Sequence, residues 1–212
     1  MRLAGRIVCE SLCYSIIVLY KKDYVIIMLK LDHGSKYLIL YSTLAGFISS
    51  WAISGLLVIV DVVSQTPIGT FFAVIGSSLG FYDPSVSQYI GFALHIATGT
   101  VAGNIFGQVV LFWNKLFPSN FKRGIIYGII TGVSLWIILF LPLTIFIIQP
   151  KLDAFAVSAP NQYLFGIADR FHGLSPLITI GSLGFHIVYG ILFGFIVWRM
   201  IELKTIGQIN KE

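Results

Sequence analysis

Four segments of this 212-residue chain are long and apolar enough to cross a bilayer as helices, and this limits the fold more than any other feature. A hydrocarbon core about 30 Å thick needs about 20 consecutive apolar residues of helix. Only 11% of the residues are charged, whereas a soluble domain has roughly 25%, so the charges are too few to cover a water-facing surface. The sequence therefore predicts an all-α membrane protein, a bundle of four transmembrane helices over residues 38–63, 84–113, 124–149 and 176–201.

Basic residues are distributed unevenly between the connections of these spans. Six lysines and arginines precede the first span, none lies in 64–83, three lie in 114–123, two in 150–175, and three follow near the C-terminus. Cytoplasmic loops carry the excess of such residues. The ratio of twelve to two predicts a cell-membrane protein with both termini in the cytoplasm. The excess of basic residues behind the net charge of +5 is therefore explained by the membrane topology, and nucleic acid is not expected as a partner.

The first 37 residues are predicted to form a cytoplasmic segment, followed by a membrane domain over 38–212. The apolar run Ile7–Tyr20 is too short to span, since about 17 residues are the minimum. It is either an interfacial helix, or it precedes a true start at Met28. On the outer side, a glycine-rich and serine-rich piece over 67–82 is predicted to be re-entrant or interfacial, and 161–171 to be a surface helix.

Small residues recur every four positions in all four spans, and in the second and fourth spans the pattern includes a histidine, His95 and His186. Residues four apart share one helix face, and small residues there let helix backbones approach closely in lipid. The correspondence predicts a parallel tandem repeat of two-span units. The predicted helix-packing residues are Gly46, Ser50, Ser54, Gly99, Gly103, Gly107, Gly124, Gly128, Gly132, Gly190 and Gly194.

The two histidines are the most informative candidates for chemistry. His95 lies eleven residues beyond Pro84 and His186 ten beyond Pro176, roughly 15–17 Å along a helix and near mid-membrane. Two facing histidines can hold a b-type haem or a metal, or relay a proton. The alternative is a hydrogen bond between helices. Glycine four residues after each histidine favours the hydrogen bond, because closely packed helices leave no room for a haem.

Two further polar residues lie within the predicted spans. Asp61 is at the outer end of the first span, where a carboxylate next to a helix C-terminus is unfavourable unless it is hydrated or paired. Asn104 is in the second span and is expected to hydrogen-bond across helices. The sequence does not identify a metal.

Several motifs of catalysis are missing from the sequence: it has no Walker loop, GxGxxG, HExxH or CxxC, and no pair of mid-membrane carboxylates. We therefore expect a non-enzymatic protein with no catalytic residues. The first hypothesis is a helix-bundle homo-oligomer, or an accessory subunit of a membrane complex, with the lipid bilayer as its surroundings. The second is a small-solute or ion channel or transporter. The third is a haem-binding or metal-binding protein that uses His95 and His186.

Overall fold

The computed structural model describes residues 37–172 and 175–209. The chain divides into two compact units, Met1–Leu38 and Ile39–Glu212, and the description that follows concerns the second. The predictions for Ile7–Tyr20 and for a start at Met28 lie outside the described residues.

Every regular element in the described part of the chain is helical. Four helices there are long and apolar enough to cross a membrane, which confirms this part of the predicted fold. They are joined by two shorter helices and by a 3₁₀ turn at Asn114–Leu116. The six helices are α1 Tyr37–Val63, α2 Thr70–Ser78, α3 Pro84–Phe112, α4 Phe121–Ser158, α5 Gln162–His172 and α6 Ser175–Ile209.

Side-chain caps define where three of the helices begin. Asp83 accepts a hydrogen bond from the Val86 backbone N–H (2.9 Å) in front of Pro84, the first residue of α3. Asn120 caps α4 and Asn161 caps α5 through equivalent bonds of 2.9 Å each. An asparagine or aspartate at this position satisfies an N–H that the helix itself leaves unpaired.

Helix α4 continues beyond the predicted end at residue 149. It starts as α-helix over Phe121–Leu135 and contains two π-helical stretches, Trp136–Phe140 and Thr144–Ile148, on either side of Pro142. Proline removes one backbone donor, and a local change to i→i+5 bonding keeps the helix continuous around it. The polar residues at 149–151 suggested an end, but Leu152 and Phe155 are buried beyond them, so packing favours continuation.

Helices α1 and α3 form one antiparallel pair in which their backbones touch. A Cβ built on Gly46 would overlap the Gly99 carbonyl oxygen, and one built on Gly103 would overlap the Ser42 carbonyl oxygen. Gly107 lies against Ile39. Only glycine allows this approach, because any side chain would hold the two helices apart.

Helices α4 and α6 form a second pair with the same kind of contact. A Cβ on Gly128 would overlap the Gly190 carbonyl oxygen, and one on Gly132 would overlap the His186 carbonyl oxygen. Gly194 lies against Gly124 in the next turn. The spacing along both helices matches the four-residue pattern of the sequence.

The short helix α2 folds back along the start of α3. A Cβ on Gly76 would overlap the Ser87 carbonyl oxygen, and one on Gly91 would overlap that of Phe72. The other side of α2 packs on the end of α4 and on α5. The buried side chains of this cluster are Ala73, Val74, Ile148, Leu152, Phe155, Leu164, Ile167 and Ala168.

The two pairs meet through side chains. The Tyr189 hydroxyl of α6 donates to the Gly99 carbonyl of α3 (2.9 Å), and the Phe106 and Phe193 rings meet edge to face, with centroids 5.1 Å apart. Because Ile39 lies beside Gly107 and Trp198 beside Gly124, the start of α1, the α3–α4 connection and the end of α6 share one end of the bundle. That end carries Lys115, Lys122, Arg123 and Arg199.

Candidate functional site

A cavity of about 470 Å³ lies between the two helix pairs, at the end opposite these basic residues. Helices α1 and α6 form its sides, Phe71 of α2 and His95 of α3 line its inner part, and α5 covers it. Most of its lining is apolar, as in pockets for small organic ligands. The apolar residues are Ile53, Leu57, Val60, Phe71, Phe171, Leu177, Ile178 and Phe185, and the polar ones are Asp61, Ser64, Thr66, His95, Arg170 and Ser182.

Asp61 is buried at this cavity, with 5% of its surface exposed. Its carboxylate accepts hydrogen bonds from the Gly69 backbone N–H (2.8 Å) and the Thr66 hydroxyl (3.1 Å). Gly69 is the residue before α2, so the carboxylate lies at the positive end of that helix, where a negative charge is favourable. The partner of Asp61 is therefore the start of the next helix.

Arg170 of α5 lines the same cavity and is exposed. Its guanidinium donates to the Gln65 carbonyl (3.2 Å), and among the described residues it forms no ion pair. The sequence did not place Arg170 in a site, because it meets residue 65 only after α5 has folded over the turn between α1 and α2. The clustered charges and aromatics of the predicted surface helix were the only available signal.

His95 lies at the inner end of this cavity. Its Nδ1 is 3.0 Å from the Ser54 hydroxyl of α1, and its ring packs against Phe71 and Phe72 of α2. This contact joins α1 to α3, as the hydrogen-bond hypothesis requires. The other edge of the imidazole ring faces the space between the two helix pairs.

His186 occupies the equivalent turn of α6. Its Nδ1 lies 2.8 Å from the Ser182 carbonyl, which can only accept, so Nδ1 carries the proton and Nε2 is the acceptor of the neutral ring. Both histidines line a second cavity, of about 60 Å³, together with Ser50, Thr98 and Tyr189. This space is large enough for ordered water, since one water needs a cavity of about 10–15 Å³.

The space between the histidines does not fit a haem. Cofactor pockets measure about 300–1,000 Å³, and the backbone contacts of Gly99 and Gly190 keep the neighbouring helices close. Within the residues that the structure describes, no three His, Cys, Asp or Glu side chains come together in a group that could hold a metal ion. The space between the two histidines is therefore too small for a haem, and the metal hypothesis stays a prediction.

Asn104 lies apart from both cavities. Its amide donates to the Thr43 hydroxyl of α1 (3.1 Å) and accepts from Gln108 (2.6 Å). The structure thus brings Asp61 and His95 to one cavity, His95 and His186 to the other, and leaves Asn104 as a link between α1 and α3.

Two hydrogen bonds fasten α5 over the cavity end of the bundle. The Gln88 amide of α3 donates to the Tyr163 hydroxyl (3.0 Å), and the Asn161 amide donates to the Tyr82 carbonyl (2.9 Å). Burial raises the pKa of Tyr163 above its ordinary value, so this hydroxyl stays neutral. These bonds connect α5, which lies between the two helices of the second pair in the sequence, to the segment at the start of α3 in the first pair.

Comparison with family models, with curated proteins and with solved structures finds no significant match to this chain. The functional argument therefore starts from the two cavities and their lining.

Proposed function

We propose that this chain is a non-enzymatic, multi-pass integral membrane protein that binds a small, mostly apolar molecule between its two helix pairs, as a carrier does. The cavity of about 470 Å³ is the observation that carries the proposal. Both pairs contribute to its wall, and its few polar groups lie at its two ends, an arrangement that orients a ligand inside apolar walls.

The contrast between the two kinds of helix contact supports a carrier. Inside each pair, glycines place backbone against backbone, so each pair moves as a rigid unit. Between the pairs, contacts such as Tyr189 to Gly99 are made by side chains. Carriers commonly move one repeat against another around a central site. The matching positions of Gly46 on Gly99 and of Gly128 on Gly190 also support the proposal that the two pairs arose as a parallel tandem repeat.

A carrier accounts for the interior better than an open channel. On the basic side of His95, the space between the pairs is filled by Tyr189 and Phe193, whose rings stack with centroids 5.9 Å apart, and by Phe106. A ligand in the large cavity would pass these aromatic side chains only if the pairs separated. This favours binding from one side at a time.

The membrane setting belongs to the same proposal. Large apolar side chains such as Ile138 and Phe146 of α4 are 75% exposed, a surface that lipid would cover. The basic end, with the connection between α3 and α4, would face the cytoplasm, and both termini would lie on that side of the cell membrane.

The oligomer or accessory-subunit hypothesis stays a prediction. It depended on small-residue faces that a second chain could cover. All eleven predicted packing residues lie at helix contacts within this chain: the glycines through close approach, Ser50 through its side chain against Gly99, and Ser54 through His95. These small-residue faces are therefore already covered by other helices of the same chain.

A cavity-filling variant tests the binding proposal. Gly181 lines the cavity, and a Cβ added there meets no atom within 4 Å, so Gly181→Phe is chosen to place a large side chain in this space. Gly184, one turn along α6, is equally open but lies outside the lining, so Gly184→Phe is the matched control. We expect an uncharged, apolar photoreactive aryl probe to label the cavity segments of α1 and α6.

Labelling of those segments should fall severalfold in Gly181→Phe and stay unchanged in Gly184→Phe, as measured by mass spectrometry of the labelled peptides in lipid nanodiscs. Lipid-facing residues of α4 provide the reference for nonspecific labelling. Equal labelling of the cavity segments in both variants would contradict the proposal.

A further inference from the structure

The large cavity has one open side, between α1 and α6. Val60 and Leu177 both line it, yet 44% and 67% of their surfaces are exposed, and Gly181 is exposed between them and the inner end. The other sides of the cavity are closed. Phe71 closes the side toward α2, His95 closes the side toward α3, and α5 covers the end. The opening therefore faces sideways, out of the bundle.

This opening lies within one half of the bundle's length. The cavity is lined by α1 over residues 53–61 and by α6 over residues 177–185, each about 12 Å of helix, less than half of a hydrocarbon core about 30 Å thick. It is the half away from the basic end. In the proposed orientation, the cavity opens toward the acyl chains of the outer leaflet, so its ligand is a molecule dissolved in the membrane.

The charged groups of the cavity differ in what they can offer a ligand. Asp61 is buried, and both of its oxygens accept hydrogen bonds from the turn before α2. Arg170 is exposed at the outer end and uses its NH1 group on the Gln65 carbonyl. Its other N–H groups have no protein partner among the described residues, and a guanidinium binds a carboxylate through two parallel hydrogen bonds.

The size and shape of the cavity limit the apolar part of the ligand. A volume of about 470 Å³ lies in the lower half of the range of about 300–1,000 Å³ for small-ligand sites. The walls between Arg170 and His95 are aliphatic and aromatic. This space suits one hydrocarbon chain rather than the two chains of a phospholipid.

Resting on the binding function proposed above, we infer that the cavity takes a single-chain carboxylate amphiphile of the fatty-acid class, which enters from the outer leaflet between α1 and α6. Its carboxylate pairs with Arg170, and its chain extends past Leu57 and Phe185 toward His95.

Two photoreactive probes that differ only in their head groups test this inference. One is a 16-carbon fatty acid with a diazirine near the end of its chain, and the other is the corresponding alcohol. With the full-length protein in phosphatidylcholine nanodiscs, we expect the acid to label residues 53–61 and 177–185 about tenfold more than the alcohol does, because a charge-assisted pair strengthens binding by about that factor.

Substitutions of two exposed arginines separate the head-group contact from a general effect of charge. Arg170→Gln should lower labelling by the acid to the level of the alcohol. Arg199→Gln, at the opposite end of α6, should leave it unchanged. Unlabelled palmitate should compete for labelling, whereas a two-chain anionic phospholipid should not. An unchanged elution profile in size-exclusion chromatography shows that each variant is folded.

The outcomes distinguish this inference from the proposed function. If acid and alcohol label the cavity equally, and Gly181→Phe blocks both, the binding cavity stands and the carboxylate inference is wrong. Competition by the two-chain phospholipid would overturn the single-chain assignment. If neither probe labels the cavity segments above the lipid-facing reference on α4, both proposals are wrong.

Discussion

At the scale of single residues, the surroundings of a glycine decide what it contributes. Gly128 and Gly184 both lie inside long helices, where glycine is less favourable than alanine by about 1 kcal/mol. A Cβ on Gly128 would overlap the Gly190 carbonyl oxygen, whereas one on Gly184 meets no atom within 4 Å. The same substitution therefore has opposite expected effects at the two positions.

Gly128→Ala should destabilise the protein by forcing α4 and α6 apart. Overpacking of this kind costs about 1–3 kcal/mol, which lowers Tm by about 3–10 °C in a chain of this size. Gly184→Ala should leave Tm unchanged or raise it slightly. Thermal unfolding in mild detergent measures both. A stable Gly128→Ala would contradict the close contact of these helices.

Sequence reasoning located the two histidines but not their partners. Their depth and their position on the small-residue faces followed from counting along the helices. That His95 meets Ser54 and that His186 bonds the Ser182 carbonyl one turn before it depends on the rotation of α1 and on a side-chain rotamer. Spacing within one helix does not specify either of these.

At the scale of elements, α2 depends on a residue outside it. Nine residues are too few for a helix to be stable alone in water, and the N-terminus of α2 has no side-chain cap of its own. Asp61, near the end of α1, takes the place of that cap by accepting a hydrogen bond from the Gly69 backbone N–H. An interpretation of 67–82 that considers this segment alone misses the contact.

Asp61→Ala should release the start of α2. Loss of a capping carboxylate costs about 1–2 kcal/mol, so amide hydrogen exchange over residues 69–78 should quicken about tenfold, while exchange in the α4–α6 pair stays the same. Asp61→Asn, which keeps one acceptor oxygen, should be intermediate. Asp153→Ala, at an exposed position of α4, is the control. Unaltered exchange over 69–78 in Asp61→Ala would show that this contact does not hold α2.

At the scale of the whole molecule, both the distribution of charge and the packing of the helices distinguish the two ends of the bundle. Of the basic residues that predicted the cytoplasmic side, Lys115, Lys122, Arg123 and Arg199 lie at one end of the bundle. The cavity, α2 and α5 lie at the other. Nothing in the local sequence requires this agreement, because the glycine contacts set the order of the helices while the charges sit in the connections.

Cysteine labelling tests the proposed orientation. In a chain whose only cysteines, Cys9 and Cys13, are changed to serine, Val157→Cys is placed at the cavity end, where Val157 is 89% exposed. Ser119→Cys is placed in the connection between α3 and α4. A membrane-impermeant maleimide should label Val157→Cys on intact cells and Ser119→Cys only after permeabilisation. The reverse pattern would contradict the orientation and the assignment of the cavity to the outer leaflet.

The sequence by itself determined the four long helices, the small-residue faces and the basic end, because hydropathy, four-residue spacing and lysine and arginine counts are properties of the chain alone. Only the tertiary structure decided that Gly91 contacts α2 while Gly99 contacts α1, that Asp61 caps α2, and that α5 brings Arg170 to the cavity. These depend on how separate helices are rotated and which partner each face meets. The cavity forms between the two helix pairs because larger side chains separate the pairs, whereas glycines bring the two helices within each pair into contact.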